Sequence, residues 1–189
     1  MESVKRVLTD AIIFKPKVFQ DERGCFFESF NKRVFESLTG TNISFVQDNQ
    51  SNSSKGTLRG LHFQSGQAAQ SKLVRVTRGA VYDVAVDLRP DSPTFKQWYG
   101  VELSDENHFQ FFIPRGFAHG FIALQDNTIF QYKVDNYFSR INDCGIIWND
   151  EELDITSASS SLSDPRSLIP CIKANMGRTL ASSCSLGSS

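Results

Sequence analysis

The 189-residue chain carries 20 Lys and Arg against 21 Asp and Glu, a formal net charge of −1. Both signs are spread along it, which argues against a nucleic-acid or anionic-membrane partner, since either calls for a concentrated basic footprint. No apolar run approaches the ~20 residues of a membrane helix and residues 1–10 are charged, unlike a signal peptide, so the expectation is a soluble, cytoplasmic protein.

In chain order, the first clear element is a helix over residues 31–38. Asn31 is suited to cap it, Val34, Phe35 and Leu38 share one face, and Gly40 supplies a stop. Residues 72–77, 80–88, 108–113, 117–124 and 128–134 read as short strands, divided by turn signals at Arg78-Gly79, Pro90-Asp91-Ser92 and Asp126-Asn127. Within 80–88, Tyr82, Val84, Val86 and Leu88 fall on one face and Val81, Asp83, Ala85 and Asp87 on the other, the pattern of a half-buried strand. Such short strands, with sixteen Phe among them, predict an all-β domain of sandwich or jelly-roll type. No repeat or linker divides the chain. One domain is expected over residues 1–155, then a segment over 156–180 packing on it, then a frayed tail over 181–189. Cys25, Cys144, Cys171 and Cys184 lack close pairing or metal spacing and are expected as reduced thiols.

Chemistry enters with His62, Lys72 and Tyr132, each in a segment that reads as strand. Burying an unpaired charge or hydroxyl costs several kcal/mol, so their presence points to a polar pocket inside an apolar barrel. Tyr132 faces what Phe130 and Val134 face, by period-two alternation. It is either a functional phenol or a core tyrosine with a backbone partner. Lys72 either points inward with Val74 and Val76, where it needs an anion, or reaches solvent from the rim. Pro114, Gly116 and His119 match one half of the paired histidine motifs of metal-binding cupin barrels. The other half is missing, because Phe63 and Gln64 follow His62, and no metal is expected.

The segments Asp21-Glu22-Arg23-Gly24-Cys25-Phe26-Phe27-Glu28, Gln47-Asp48-Asn49, Leu58-Arg59-Gly60-Leu61-His62-Phe63-Gln64, Lys72, Pro114 to Phe121 and Tyr132-Lys133 occur in order. Together they resemble the dTDP-4-dehydrorhamnose 3,5-epimerases, a metal-independent cupin family. The resemblance implies a cupin-type jelly-roll barrel with a few short helices and a homodimer formed by exchange of N-terminal strands. It also implies a dTDP-linked 4-keto-6-deoxy sugar as substrate and no cofactor, because the ketone at carbon 4 is itself the electron sink. His62 is then the base, Tyr132 the acid on the opposite face, and Lys72 the cation that holds the enolate oxygen. Arg23 and Arg59 resemble the diphosphate-binding cations. Glu28, Gln47, Asn49 and His119 match nucleotide-sugar contacts, with Arg23 and Glu28 expected from the neighbouring subunit. Phe138 stands where the family stacks a tyrosine on thymine, and Asp143 where it has a glutamate.

One departure bears on the base. The family's late Leu-Ser-x-x-Asp segment, whose carboxylate orients the catalytic imidazole, corresponds here to Leu162-Ser163-Asp164-Pro165-Arg166, with arginine at the aspartate position. Asp164 or Asp83 are the candidate substitutes. The departure leaves three enzymatic outcomes, a double epimerase, an epimerase acting at carbon 3 or carbon 5 only, or a weakened relative, and it motivates a rival from another class, a sugar-nucleotide binding protein with impaired turnover. The nearest enzymatic rival is a ketoisomerase acting between carbons 3 and 4 of the same substrate class.

Overall fold

The computed structural model describes residues 1–150 and 152–155. A hairpin of β1 (Glu2–Val7) and β2 (Ala11–Lys15) is followed by a second of β3 (Val18–Asp21) and β4 (Gly24–Phe27), then the helix α1 (Lys32–Thr39). The strands β5 (Gln47–Ser53), β6 (Leu58–Gln64), β7 (Lys72–Arg78), β8 (Ala80–Asp87) and β9 (Trp98–Ser104) come next. They are followed by β10 (Gln110–Ile113), β11 (Phe117–Ala123), β12 (Thr128–Val134) and the short β13 (Asp143–Gly145). The chain is all-β, as its alternation predicted, with this one α-helix and two short 3-10 turns among the described residues.

Two antiparallel sheets make the barrel. One has the order β1-β2-β10-β7-β12-β5, and the other β13-β6-β11-β8-β9. Their facing sides enclose a core of Ile13, Val74, Val76, Val81, Ala85, Leu103, Phe111, Phe117, Phe121 and Phe130. Phe121 and Phe130 stack across the sheets with ring centroids 4.1 Å apart. The third sheet, β3-β4, is bonded only within itself and carries Phe19 and Phe26 in exposed positions.

The helix forms where the capping signals put it. Asn31 accepts a hydrogen bond from the Val34 amide, and Gly40 adopts φ 74, the left-handed geometry that lets its amide close the last turn onto the Glu36 carbonyl. Phe35 is then fully buried against Ile12, Phe14, Leu73 and Phe112 on the outer side of the larger sheet.

Two expectations shift in detail. The strand over 80–88 is buried on both faces rather than half-buried, because the outer face of its sheet packs a second apolar cluster of Leu61, Tyr82, Val84, Val86, Ala118, Ile122 and Leu153. His108 is in the turn before β10, with φ 55, and the strand starts at Gln110. Cys25 is a free thiol; Cys171 and Cys184, like the segments over 156–180 and 181–189, lie outside the described residues.

Candidate active site

Cross-strand register brings the chemistry-bearing residues onto the two inner faces. On the larger sheet Lys72 of β7 pairs with Val134 of β12, which pairs with Gln47 of β5. One step along, Val74, Tyr132 and Asn49 form the next row. Directly paired residues point to the same side, so Lys72, Tyr132, Gln47 and Asn49 share a face. Tyr132 packs on the core beside Phe130, with ring centroids 6.1 Å apart, and Gln47 Nε2 donates to Asn49 Oδ1 at 2.8 Å.

On the smaller sheet His62 of β6 pairs with His119 of β11. Leu61 is turned outward into the second apolar cluster, which leaves His62 and Gln64 on the inner side. The approach of β6 and β11 depends on two glycines. A Cβ on Gly60, which has φ 126, would lie 2.4 Å from the Gly120 Cα, and one on Gly120 would lie 2.7 Å from the Arg59 carbonyl oxygen. A register shift between His119 and Phe121 falls at the same place.

The groups are arranged by depth. Asp83 lies at the floor with no exposure, and both its carboxylate oxygens meet His119 Nε2, at 3.1 and 2.9 Å. Lys72 and Tyr132 are half-buried above it, and His62, Arg59 and Asp143 stand at the open mouth. Arg59 Nε donates to the buried Ser53 hydroxyl at 3.1 Å.

Electrostatics ties these side chains together. Burial brings the Lys72 ammonium down to about 8, against the opposing pull of Asp83 and Asp143. Burial also lowers the His62 imidazole; Asp143 resists this, while Lys72 and His119 reinforce it. The Tyr132 phenol is raised, chiefly by burial, with Arg59 lowering and Asp143 raising it. Each direction suits a role: an imidazole held neutral accepts a proton near pH 7, and a phenol held protonated keeps one to give.

The carboxylate question has a partial answer. Asp83, a candidate partner for His62, is committed to His119 instead. Asp143 is the described carboxylate whose charge favours protonated His62, and Gln64 Nε2 donates to its Oδ1 at 2.9 Å. Residues 162–166 lie outside the described part of the chain. Gln64 had no role in the sequence beyond its motif; its place two residues after His62, and so on the same face, was the available signal.

The remaining residues are not gathered here. Arg23 is on the exposed β3-β4 hairpin, 85% of its side chain open to solvent, with Nη2 2.6 Å from Asp21 Oδ2. Glu28 follows the hairpin and accepts from Asn31 Nδ2 at 3.1 Å. Phe138 is exposed in the segment after β12, beyond the strand's end at Val134 and a bend at Asp135.

The family profile described as dTDP-4-dehydrorhamnose 3,5-epimerase matches residues 5–171. The chain is 56% identical over 155 residues to the dTDP-4-dehydrorhamnose 3,5-epimerase of Escherichia coli strain K12, which covers 82% of this chain and 84% of that protein. It superposes with a TM-score of 0.80 and 52% identity on the crystal structure of the Bacillus anthracis dTDP-4-dehydrorhamnose 3,5-epimerase with TDP and PPi bound, over 86% of this chain and 92% of that one. The Legionella pneumophila dTDP-6-deoxy-D-glucose-3,5-epimerase in complex with dTDP-4-keto-L-rhamnose gives a TM-score of 0.79 at 49% identity, over 82% of this chain and 81% of that one.

Proposed function

The chain belongs to the dTDP-4-dehydrorhamnose 3,5-epimerase family, and from that premise we propose that it inverts carbons 3 and 5 of dTDP-4-dehydro-6-deoxy-D-glucose through enolates, with His62 as base, Tyr132 as acid and Lys72 as the fixed cation. A hydrogen next to the ketone is acidic because carbon 4 can take up the electron pair. His62 removes it, the charge moves to the carbon-4 oxygen, and the Lys72 ammonium holds that oxygen. Tyr132 then returns a proton to the carbon from the other face, so the centre leaves inverted. The carrying observation is the convergence of an imidazole, a phenol and a half-buried lysine on the inner faces of two sheets, all three acted on by Asp143. The electron sink belongs to the substrate, so the sequence of steps calls on no cofactor.

Binding follows from chemistry. Arg59 suits one diphosphate oxygen pair, Gln47, Asn49 and His119 offer amide and imidazole contacts, and Phe138 gives thymine an aromatic face. Asp143 follows the Phe138 segment in the chain and pairs with Gln64 on β6, the strand that carries His62. Arg23 and Glu28 serve in a homodimer that lends each barrel the hairpin of its partner; the support is a hairpin that forms a sheet of its own and exposes Phe19 and Phe26. Among the described residues no helix is long and apolar enough to cross a membrane. A nucleotide-linked substrate fits a cytoplasmic site of action.

Turnover in heavy water tests the assignment. Deuterium at carbons 3 and 5, read by NMR of the product, is the expected result. Label at one carbon makes the protein a single-centre epimerase. Carbonyl migration makes it a ketoisomerase, and tight binding without label makes it a binding protein. His62→Ala is expected to abolish exchange, whereas Tyr132→Phe spares proton removal more than inversion.

A further inference from the structure

We propose that Gln64 is a positioning residue of this active site: from a buried place on β6 its amide fixes the Asp143 carboxylate next to the base and, through Ser139, anchors the segment that carries Phe138. The proposal rests on the reading of His62 as base.

Gln64 is 7% exposed, yet each end of its amide is spent on a different part of the site. Nε2 donates to Asp143 Oδ1 at 2.9 Å, and Oε1 accepts from the Ser139 amide at 2.8 Å. A carboxylate only accepts and a backbone N–H only donates, so these partners fix which way the amide points. Glutamate could not serve both and a hydrocarbon could serve neither. If the position merely filled the barrel, an apolar side chain of this length would do so without needing two satisfied polar ends.

The consequence lies in what Asp143 does. It sits on β13, the edge strand beside β6, paired with Gln64, while Gly145 pairs with His62. The charged groups whose fields act on His62 are Asp143 from β13, Lys72 from β7 and His119 from β11, with Asp83 of β8 behind His119, Arg59 of β6 also at the mouth and Tyr132 of β12 on the facing sheet. Asp143 is the one negative charge of this set not already bound to a histidine, and it is itself exposed. An exposed carboxylate left to rotate averages its field into solvent; one held by an amide keeps it aimed at the imidazole. Gln64 Oε1 and the Ser65 amide, which donates to the Asn142 carbonyl at 2.9 Å, moor the segment over 139–142 at two points.

The chain has three histidines, so their imidazole titrations are separable by NMR in the intact ligand-free protein, and His62→Ala assigns the resonance. Asp143→Asn is expected to move the His62 midpoint to lower pH, because a charge that favours the imidazolium is gone. Gln64→Met, which keeps length but loses both hydrogen bonds, is expected to move it the same way by less, and Gln64→Met/Asp143→Asn no further than Asp143→Asn. Should Gln64→Met unfold, Gln64→Asn, an amide one methylene too short to reach both partners, carries the same expectation. A midpoint unmoved by the Gln64 variants, or single shifts that sum in the double variant, overturns the proposal. If His62→Ala still exchanges substrate hydrogen, the base assignment falls instead, and the titration result is unaffected by it.

Discussion

Lys72 shows how much one residue's surroundings decide. Half-buried between Asp83 at the floor and Asp143 at the mouth, its ammonium titrates at about 8 instead of 10.5. The cation proposed to hold the enolate is therefore present below that value and lost as pH rises through it. The kcat/KM profile is expected to fall on its alkaline side near pH 8. Lys72→Met is expected to lack that limb and to lose about 10²- to 10³-fold in rate, the usual effect of removing one electrostatic contact to a developing oxyanion. An alkaline limb that persists unchanged in Lys72→Met would show that another group sets it. Period-two alternation was enough to put Tyr132 beside Phe130, because strand faces are written locally, whereas for Lys72 it left an inward place with Val74 and an exit at the rim both open. The bond between His119 and Asp83 was not legible: 36 residues separate them, and only the register of β8 against β11 brings them together.

At the level of elements, the helix over Lys32–Thr39 and the strand over Thr128–Val134 were readable from caps and alternation. The strands of the first 60 residues were not delimited, because β5 is polar throughout and its alternation of depth has no apolar face to announce it. The double burial of β8 was equally hidden, since it depends on what covers the outer face of its sheet. The pair Gly60 and Gly120 lets β6 and β11 touch, and this sets His62 opposite His119. Gly60→Ala is expected to lose at least about 2 kcal/mol of stability, because alanine meets both an unfavourable positive φ and the Gly120 backbone. Thermal unfolding checks this, and a variant as stable as the parent would mean that the strands separate there without cost.

For the molecule as a whole, the proposed homodimer makes a quantitative expectation about mixtures. Arg23→Ala and His62→Ala are each expected to be inactive alone. Refolded together, their mixed dimers contain one site with His62 from one copy and Arg23 from the other, so roughly a quarter of all sites recover. No recovery would assign Arg23 to its own barrel. Neither partnership nor subunit count was legible from composition, since an exposed Phe19 or Phe26 is distinguished from a core phenylalanine only by where the hairpin goes. That separate hairpin has a genetic corollary. With the proposed exchange of hairpins, in a cell expressing an intact and an altered allele a lesion in the hairpin is expected to silence the healthy polypeptide's own catalytic centre and be felt in trans, whereas loss of the imidazole is expected to harm only the copy that inherited it.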